Sequence, residues 1–325
     1  MMKKLALGLS LCLGLGLGGN VTSWDAIAFA QTEVVQEDSN AVNSSVGVVL
    51  LEAGTGEKQE LRLRPEVGET QTLNVAVKMN IEMFFGGMSM PSIPDMTTQL
   101  TLKSVVTDVK DNGDIEAEFI YTDISVLPGE SIEIPPEVIE AMNTELTTLI
   151  GTKGTFLLDD RGRTKAINLE LAEDVNPMFE NTLNQLMASF ENISSPLPEE
   201  AVGVGAMWQV EQEINLNGLM LDQTAVYTLE DRTNETVVLS MIINQSGEKQ
   251  QFTPLGLSES MIVDLVSLES TGTGKLTMSL SQLLPINADM NLVTRSQMNI
   301  PTDRENATTS MRTNTEMDLI MISEN

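Results

Sequence analysis

The chain has 325 residues, with 18 Lys or Arg, 47 Asp or Glu and no His, a formal net charge of −29 at pH 7. Without histidine there is no Ser-His-Asp or Cys-His catalysis, no imidazole acid–base chemistry and no His-ligated zinc, iron or copper. The acidity repels nucleic acid and anionic headgroups, so neither is an expected partner.

Residues 1–30 read as an export signal. Lys3 and Lys4 form a positive start, Leu5 to Gly19 is an apolar Leu/Gly stretch too short for a good membrane span, and Ala28-Phe29-Ala30 supplies the small residues a signal peptidase accepts. Cleavage after Ala30 leaves 295 residues and, with Lys3, Lys4 and Asp25 gone, a net charge of −30. Cys12 is the only cysteine, and Leu11 stands where a lipidated cysteine needs a small neighbour. The mature chain then has no thiol, hence no disulfide, thiolate metal site or Cys nucleophile. An exported chain of this length without disulfides suits a bacterial envelope, periplasmic or extracellular, with no stable membrane insertion after cleavage.

Residues 31–45 are polar and acidic without periodicity, which predicts a disordered tail. Val46 to Glu52 predicts a strand, joined through Ala53 to Glu57 to a second at Glu60 to Arg64 as a hairpin. The clearest element follows. Leu73, Val75, Val77, Met79, Ile81 and Met83 alternate strictly with Asn74, Ala76, Lys78, Asn80 and Glu82, which puts the apolar set on one face of a long strand. Burying six such side chains is worth roughly 9–18 kcal/mol as an upper bound, so that face demands a cover.

Phe84 to Pro94 reads as a loop, followed by strands at 97–109 and 115–126 around the hairpin signal Asn112-Gly113. Pro135-Pro136 opens an amphipathic helix with Val138, Ile139, Met142, Leu146, Leu149 and Ile150 on one face, ended by Gly151. A hairpin at 154–171 turns at Asp159 to Gly162, and Phe179, Leu183, Leu186, Met187 and Phe190 predict a second helix over 177–192. Residues 194–198 read as a linker. Strands are expected at 207–216, 223–230, 236–244, 274–280, 289–300 and 309–322, the last with Met311, Met317, Leu319 and Met321 on one face and the chain end paired into the sheet. Residues 258–269 fit a short helix or a buried strand equally.

A shift of 135 positions pairs Val67 with Val202, Gly68 with Gly203, Val75 with Val210 and Asn80 with Asn215, and sets Leu73 against Trp208. Four identities over positions 67–81 compare with about one expected by chance. The expected organisation is therefore a first β unit with two helices over 46–194 and a second β unit over 195–325, packed as one body.

Motifs for chemistry are sparse. No phosphate loop or dinucleotide fingerprint appears; Gly203-Val-Gly205 and Gly272-Thr-Gly274 lack the spacing and read as strand-edge glycines. Asp108 to Glu118 has a glycine where a calcium loop needs one but Lys110 and Phe119 where it needs carboxylates, so it reads as a hairpin turn. Met88, Met90 and Met96 form a thin candidate for soft copper in a chain with 20 methionines. A carboxylate-only hydrolase would need a convergent acidic pair, and none stands out. No catalytic, cofactor-binding or metal residues are assigned.

Pro198, Val202, Gly205 and Trp208, the repeated β units, and Gly154 with the turn Asp159 to Gly162 resemble an uncharacterised family of exported bacterial β-rich proteins. The resemblance implies no known activity and no site residues. The layout is also similar to the half-barrels of periplasmic lipoprotein and lipid carriers, from which the chain departs in its duplication and acidity. The expected fold is α+β but β-dominated: long curved antiparallel sheet built from two repeated units and covered by amphipathic helices. The expected function is a non-catalytic envelope protein holding a lipid-like apolar ligand. Its alternative is a structural or interaction module with a filled core and an envelope-protein partner.

Overall fold

The fold is a computed structural model that describes residues 46–91, 95–129, 134–170, 196–216, 218–253, 262–302 and 307–324. The expected signal peptide, the tail and the helix over 177–192 lie outside them.

Antiparallel strands dominate. They are β1 (Gly47–Gln59), β2 (Thr70–Phe85), β3 (Met88–Ser89), β4 (Met96–Val109), β5 (Ile115–Pro128), β6 (Lys153–Leu158), β7 (Thr164–Glu170), β8 (Val202–Leu216), β9 (Leu219–Arg232), β10 (Thr236–Gly247), β11 (Gln250–Phe252), β12 (Val263–Ser279), β13 (Asn287–Pro301) and β14 (Thr308–Glu324). One sheet runs in the order β1-β8-β9-β10-β12-β13-β14-β2-β4-β5-β6-β7, with β3 on β2 and β11 on β12. The meander β8 to β14 is thus inserted between β1 and β2, and β14 closes onto β2 from Glu324↔Thr72 to Met311↔Phe85. The segments matched by the 135-residue shift are β2 and β8, and Leu73 and Trp208 are both buried.

The sheet is open but tightly curled at one end. The backbone N–H of Leu63 donates to Asp160 O at 2.6 Å and that of Arg64 to Leu280 O at 2.6 Å. Asp160 lies in the turn just after β6 and Leu280 directly follows β12, strands six spacings apart in the sheet order. A flat sheet would separate them by about 29 Å. Two consecutive residues bridge them instead. A second bridge spans more: Trp208 of β8 donates its indole N–H to Pro196 O at 3.2 Å, and Leu197 N–H donates to Arg161 O at 2.9 Å. Residues 60–66 and 196–200 therefore form a strap across this end, with Leu61 and Leu197 wholly buried. Trp208, Tyr227, Leu229 and Leu239 pack against it from the concave face.

Several expectations need correction. Residues 46–64 are not a hairpin. β1 runs on to Gln59: Gly54 and Gly56, at φ 70° and 77°, sit within the strand, and the pairing with β8 absorbs register shifts between Leu50 and Glu52 and between Thr55 and Gln59 instead of turning. A Cβ on Gly203 would lie 2.1 Å from Thr55 O, so glycine lets β8 approach β1 there. Of the expected linker, residues 196–198 are buried as the strap. Gly272 and Gly274 sit mid-strand in β12, leaving space for Leu292 and Met241, and are not strand-edge glycines. Of the two readings left open for 258–269, residues 263–269 take the strand.

The helical cover is the largest correction. Among the described residues there is one helix, α1 (Pro136–Leu146), followed by a 3-10 turn at Thr147–Leu149. Met142, Leu146 and Leu149 cluster with Ile124, Val126, Met96 and Leu100 of β4 and β5 and with Leu169 of β7. The reason is local. β6 pairs with β5 up to Ile120, and Gly151 and Thr152 satisfy Tyr121, so the strand ladder stops short of Val126. Asn143 takes its place there, accepting from Val126 N–H at 2.7 Å and donating to Val126 O at 3.2 Å, as a neighbouring strand would.

Candidate functional site

The concave face follows from the register. On it Met317 lies opposite Met79, which lies opposite Met96; one row along, Met290, Leu319 and Val77 align, and in the next Ala288, Met321 and Val75. The convex neighbours are Asp318, Lys78, Glu316 and Asn80, as alternation requires. Met79, Val77, Leu319, Met317, Met290 and Leu292 are only half-buried. The face that the sequence says must be covered is therefore a trough over β13, β14, β2 and β4. α1 reaches its β4 margin and no further. Methionine suits such a wall because its unbranched thioether adapts to irregular partners.

A polar row crosses this face. Gln212 faces Gln223, Gln223 faces Gln245, Gln245 faces Ser270, Ser270 faces Thr294 and Thr294 faces Thr315. Gln245 Nε2 donates to Gln223 Oε1 at 2.7 Å, and the hydroxyls of Ser270 and Thr294 pair at 2.7 Å. Next to it Ser296 and Thr313 pair at 2.6 Å. The hydroxyl of Thr315 is buried with no hydrogen-bond partner.

At the curled end, Gln71 is 3% exposed and holds the turn after β12, accepting from Leu283 N–H at 3.0 Å and Leu284 N–H at 2.9 Å. A hollow of about 750 Å³ crosses β2, β4, β5, β6 and β7 at this level. Lys103, Glu118, Lys153 and Glu170 line it with Phe119 and Leu169, so an apolar molecule gains little there. Burial pushes the Tyr121 hydroxyl up to about 12, which keeps it neutral beside Phe119. Lys165 holds the Asp114 carboxyl below its usual range, an ion pair that pins the β4–β5 turn to β7.

The copper candidates do not converge. Met88 is 71% exposed opposite Phe85, whereas Met96 faces Met79. Six residues of β2 separate those partners, about 20 Å. Register instead brings Met96 to Met79 and Met317, which the sequence reading had not connected. The Asp108–Glu118 segment is the β4–β5 hairpin, with Gly113 at φ 86° and its N–H on Lys110 O. Among the described residues no group of three His, Cys, Asp or Glu is placed to hold a metal, and no helix is long and apolar enough to cross a membrane.

No protein-family model and no curated protein matches the sequence. Among solved structures, the chain aligns with lipovitellin, in a study of its lipid–protein interactions, at 9% identity and a TM-score of 0.43 over 80% of this chain. It spans only 25% of that lipovitellin chain. It also aligns with OccK11 (OpdR) of Pseudomonas aeruginosa at 5% identity and a TM-score of 0.23, covering 83% of this chain and all of that one. OccK2 (OpdF) of the same organism aligns at 6% identity and 0.19, over 80% and 98%. Likenesses at this level say nothing of function.

Proposed function

We propose that the concave face of the curled sheet holds a lipid-like apolar ligand, and that the protein is a non-catalytic binder exported to the bacterial envelope. The observation that carries the reading is the half-buried apolar strip over β13, β14, β2 and β4. Its inward side chains are methionine, leucine and valine, whereas the outward set mixes charged and amide residues such as Asp318, Lys78, Glu316 and Asn80 with the exposed Ile320 and Ile322. Leaving such a strip wet is costly, at about 25 cal/mol per Å². A ligand of matching chemistry removes that cost, and one end of the curl is already stoppered by the strap at 60–66 and 196–200. Flexible methionines favour a ligand class over a single shape.

The export signal supports the envelope assignment, and the reading assigns no chemical step. Its test is organic extraction of natively purified protein with mass spectrometry of the extract. A lipid in near-stoichiometric amount is expected. An empty extract, with a protein partner cross-linked in the envelope fraction, would favour the structural module instead.

A further inference from the structure

The polar row across the concave face selects among apolar ligands. We infer that Gln212, Gln223, Gln245, Ser270, Thr294 and Thr315 receive the uncharged hydrogen-bonding headgroup of an amphiphile, whose acyl chain lies along the methionine strip. This assignment rests on the apolar-ligand reading above and adds to it the chemistry of the polar end.

Three observations carry it. First, the row is continuous: each residue faces the next across six consecutive strands. From β8 to β12 it lies between apolar positions, with Val210, Ala225 and Ile243 on one side and Ile214, Leu221 and Leu268 on the other; on β13 and β14 its neighbours are Leu292 and Met317 on the first side and the hydroxyl pair Ser296–Thr313 on the second. Polar residues scattered for solubility would not keep one register on the inward face of an apolar sheet.

Second, the row is only partly satisfied from within. Gln223 and Gln245 use one hydrogen bond between them, and Ser270 and Thr294 one more. An amide offers two donors and two acceptor positions, so capacity remains. Thr315, 5% exposed, has an unpartnered hydroxyl at the end of the row. Buried polar groups are normally paired, and an orphan in a native fold points to a missing partner.

Third, every member is neutral. The charged neighbours Glu213, Asp222, Glu269, Arg295 and Glu316 belong to the alternate, outward-facing positions of the same strands. A carboxylate or phosphate placed on this row would lose its hydration and find no cation. A glycerol ester or other hydroxyl-bearing headgroup finds amides and hydroxyls to pair with. The row therefore favours a neutral lipid over a fatty-acid anion of the same chain length.

The experiment is competition on the full chain at pH 8 with the neutral fluorophore N-phenyl-1-naphthylamine, displaced by 1-oleoylglycerol or by oleate. These competitors share an acyl chain and differ in headgroup charge. We expect 1-oleoylglycerol to displace the fluorophore at a concentration at least tenfold lower than oleate. Gln223→Leu/Gln245→Leu should shrink that ratio to below threefold while the fluorophore itself binds as before. Thr315→Val, nearly isosteric and removing only the orphan hydroxyl, serves as the fold-preserving variant and should weaken 1-oleoylglycerol severalfold without changing oleate. Fluorophore binding with equal displacement by both competitors, or with a preference that survives both variants, overturns the assignment and leaves the apolar-ligand reading standing. Failure of the wild type to bind the fluorophore at all overturns both.

Discussion

Trp208 on β8 donates its indole N–H to Pro196 O at 3.2 Å, and this single bond ties the second strand of the sheet to the strap across its closed end. The ring also stacks on Tyr227 at 5.7 Å with the planes 14° apart, and the residue is 1% exposed. Replacing Trp208 by Ala should cost about 3–5 kcal/mol. Trp208→Phe keeps the stacking, loses the bond to Pro196 and should cost about 1–2 kcal/mol. Urea unfolding followed by far-UV circular dichroism measures both.

Arg62 is the polar lock of the same strap. Its Nη1 donates to Pro198 O at 2.9 Å, its Nη2 to Glu199 O at 2.7 Å, and its Nε sits 3.5 Å from Asp160. Arg62→Ala should lower stability by about 2–4 kcal/mol. Arg62→Lys should recover less than half, because a point charge cannot reach two carbonyls and a carboxylate at once. Thermal melts of the three proteins decide it; full rescue by lysine would mean that charge alone matters.

Gly203 permits the bulged pairing that keeps β1 on the sheet. With Thr55 O at 2.1 Å from where a Cβ would stand, Gly203→Ala should destabilise by about 1–3 kcal/mol. Protection of β1 amides in hydrogen exchange should fall further than that of β9, and equal loss in both strands would contradict a local role for this contact.

Asp114 predicts an acid dependence. Its folded-state carboxyl is held low chiefly by the hydrogen bond from Lys165. A lowered folded value means the stabilisation is fully present above the unfolded value of 3.8 and is lost as pH falls through the lower folded one. Lys165 is 40% exposed, so solvent discounts the pair to about 1 kcal/mol or less. Asp114→Asn should be less stable than wild type at pH 7 and converge with it as pH falls below that range, measured by unfolding at a series of pH values.

Much of the strand content was legible because alternation survives in one dimension. Leu73 to Met83 and Met311 to Met321 read as strands before any contact is known, and Lys110 to Asp114 reads as a turn from its Asn-Gly pair. What escaped depends on pairing across long separations. Gly54 and Gly56 look like a turn until Gly203, nearly 150 positions on, is seen to need room beside Thr55. Leu197 looks like linker because its burial comes from the curl itself. The methionine strip was half visible, since Met79 and Met317 each mark a face but only register sets one against the other. The polar row was invisible, because a single Gln, Ser or Thr in a strand carries no signal until six strands are aligned.

Adjacent positions on β14 separate the inward face from the outward one. Leu319 points into the trough opposite Val77, while Ile320 points out and is 43% exposed. The decisive measurement is lipid content by organic extraction and mass spectrometry of natively purified wild type, Leu319→Glu and Ile320→Glu, each first shown to be folded. Binding on the inward face predicts near-stoichiometric lipid in wild type and Ile320→Glu, and a loss of at least tenfold in Leu319→Glu. Equal lipid in both variants, or none in wild type, would contradict it.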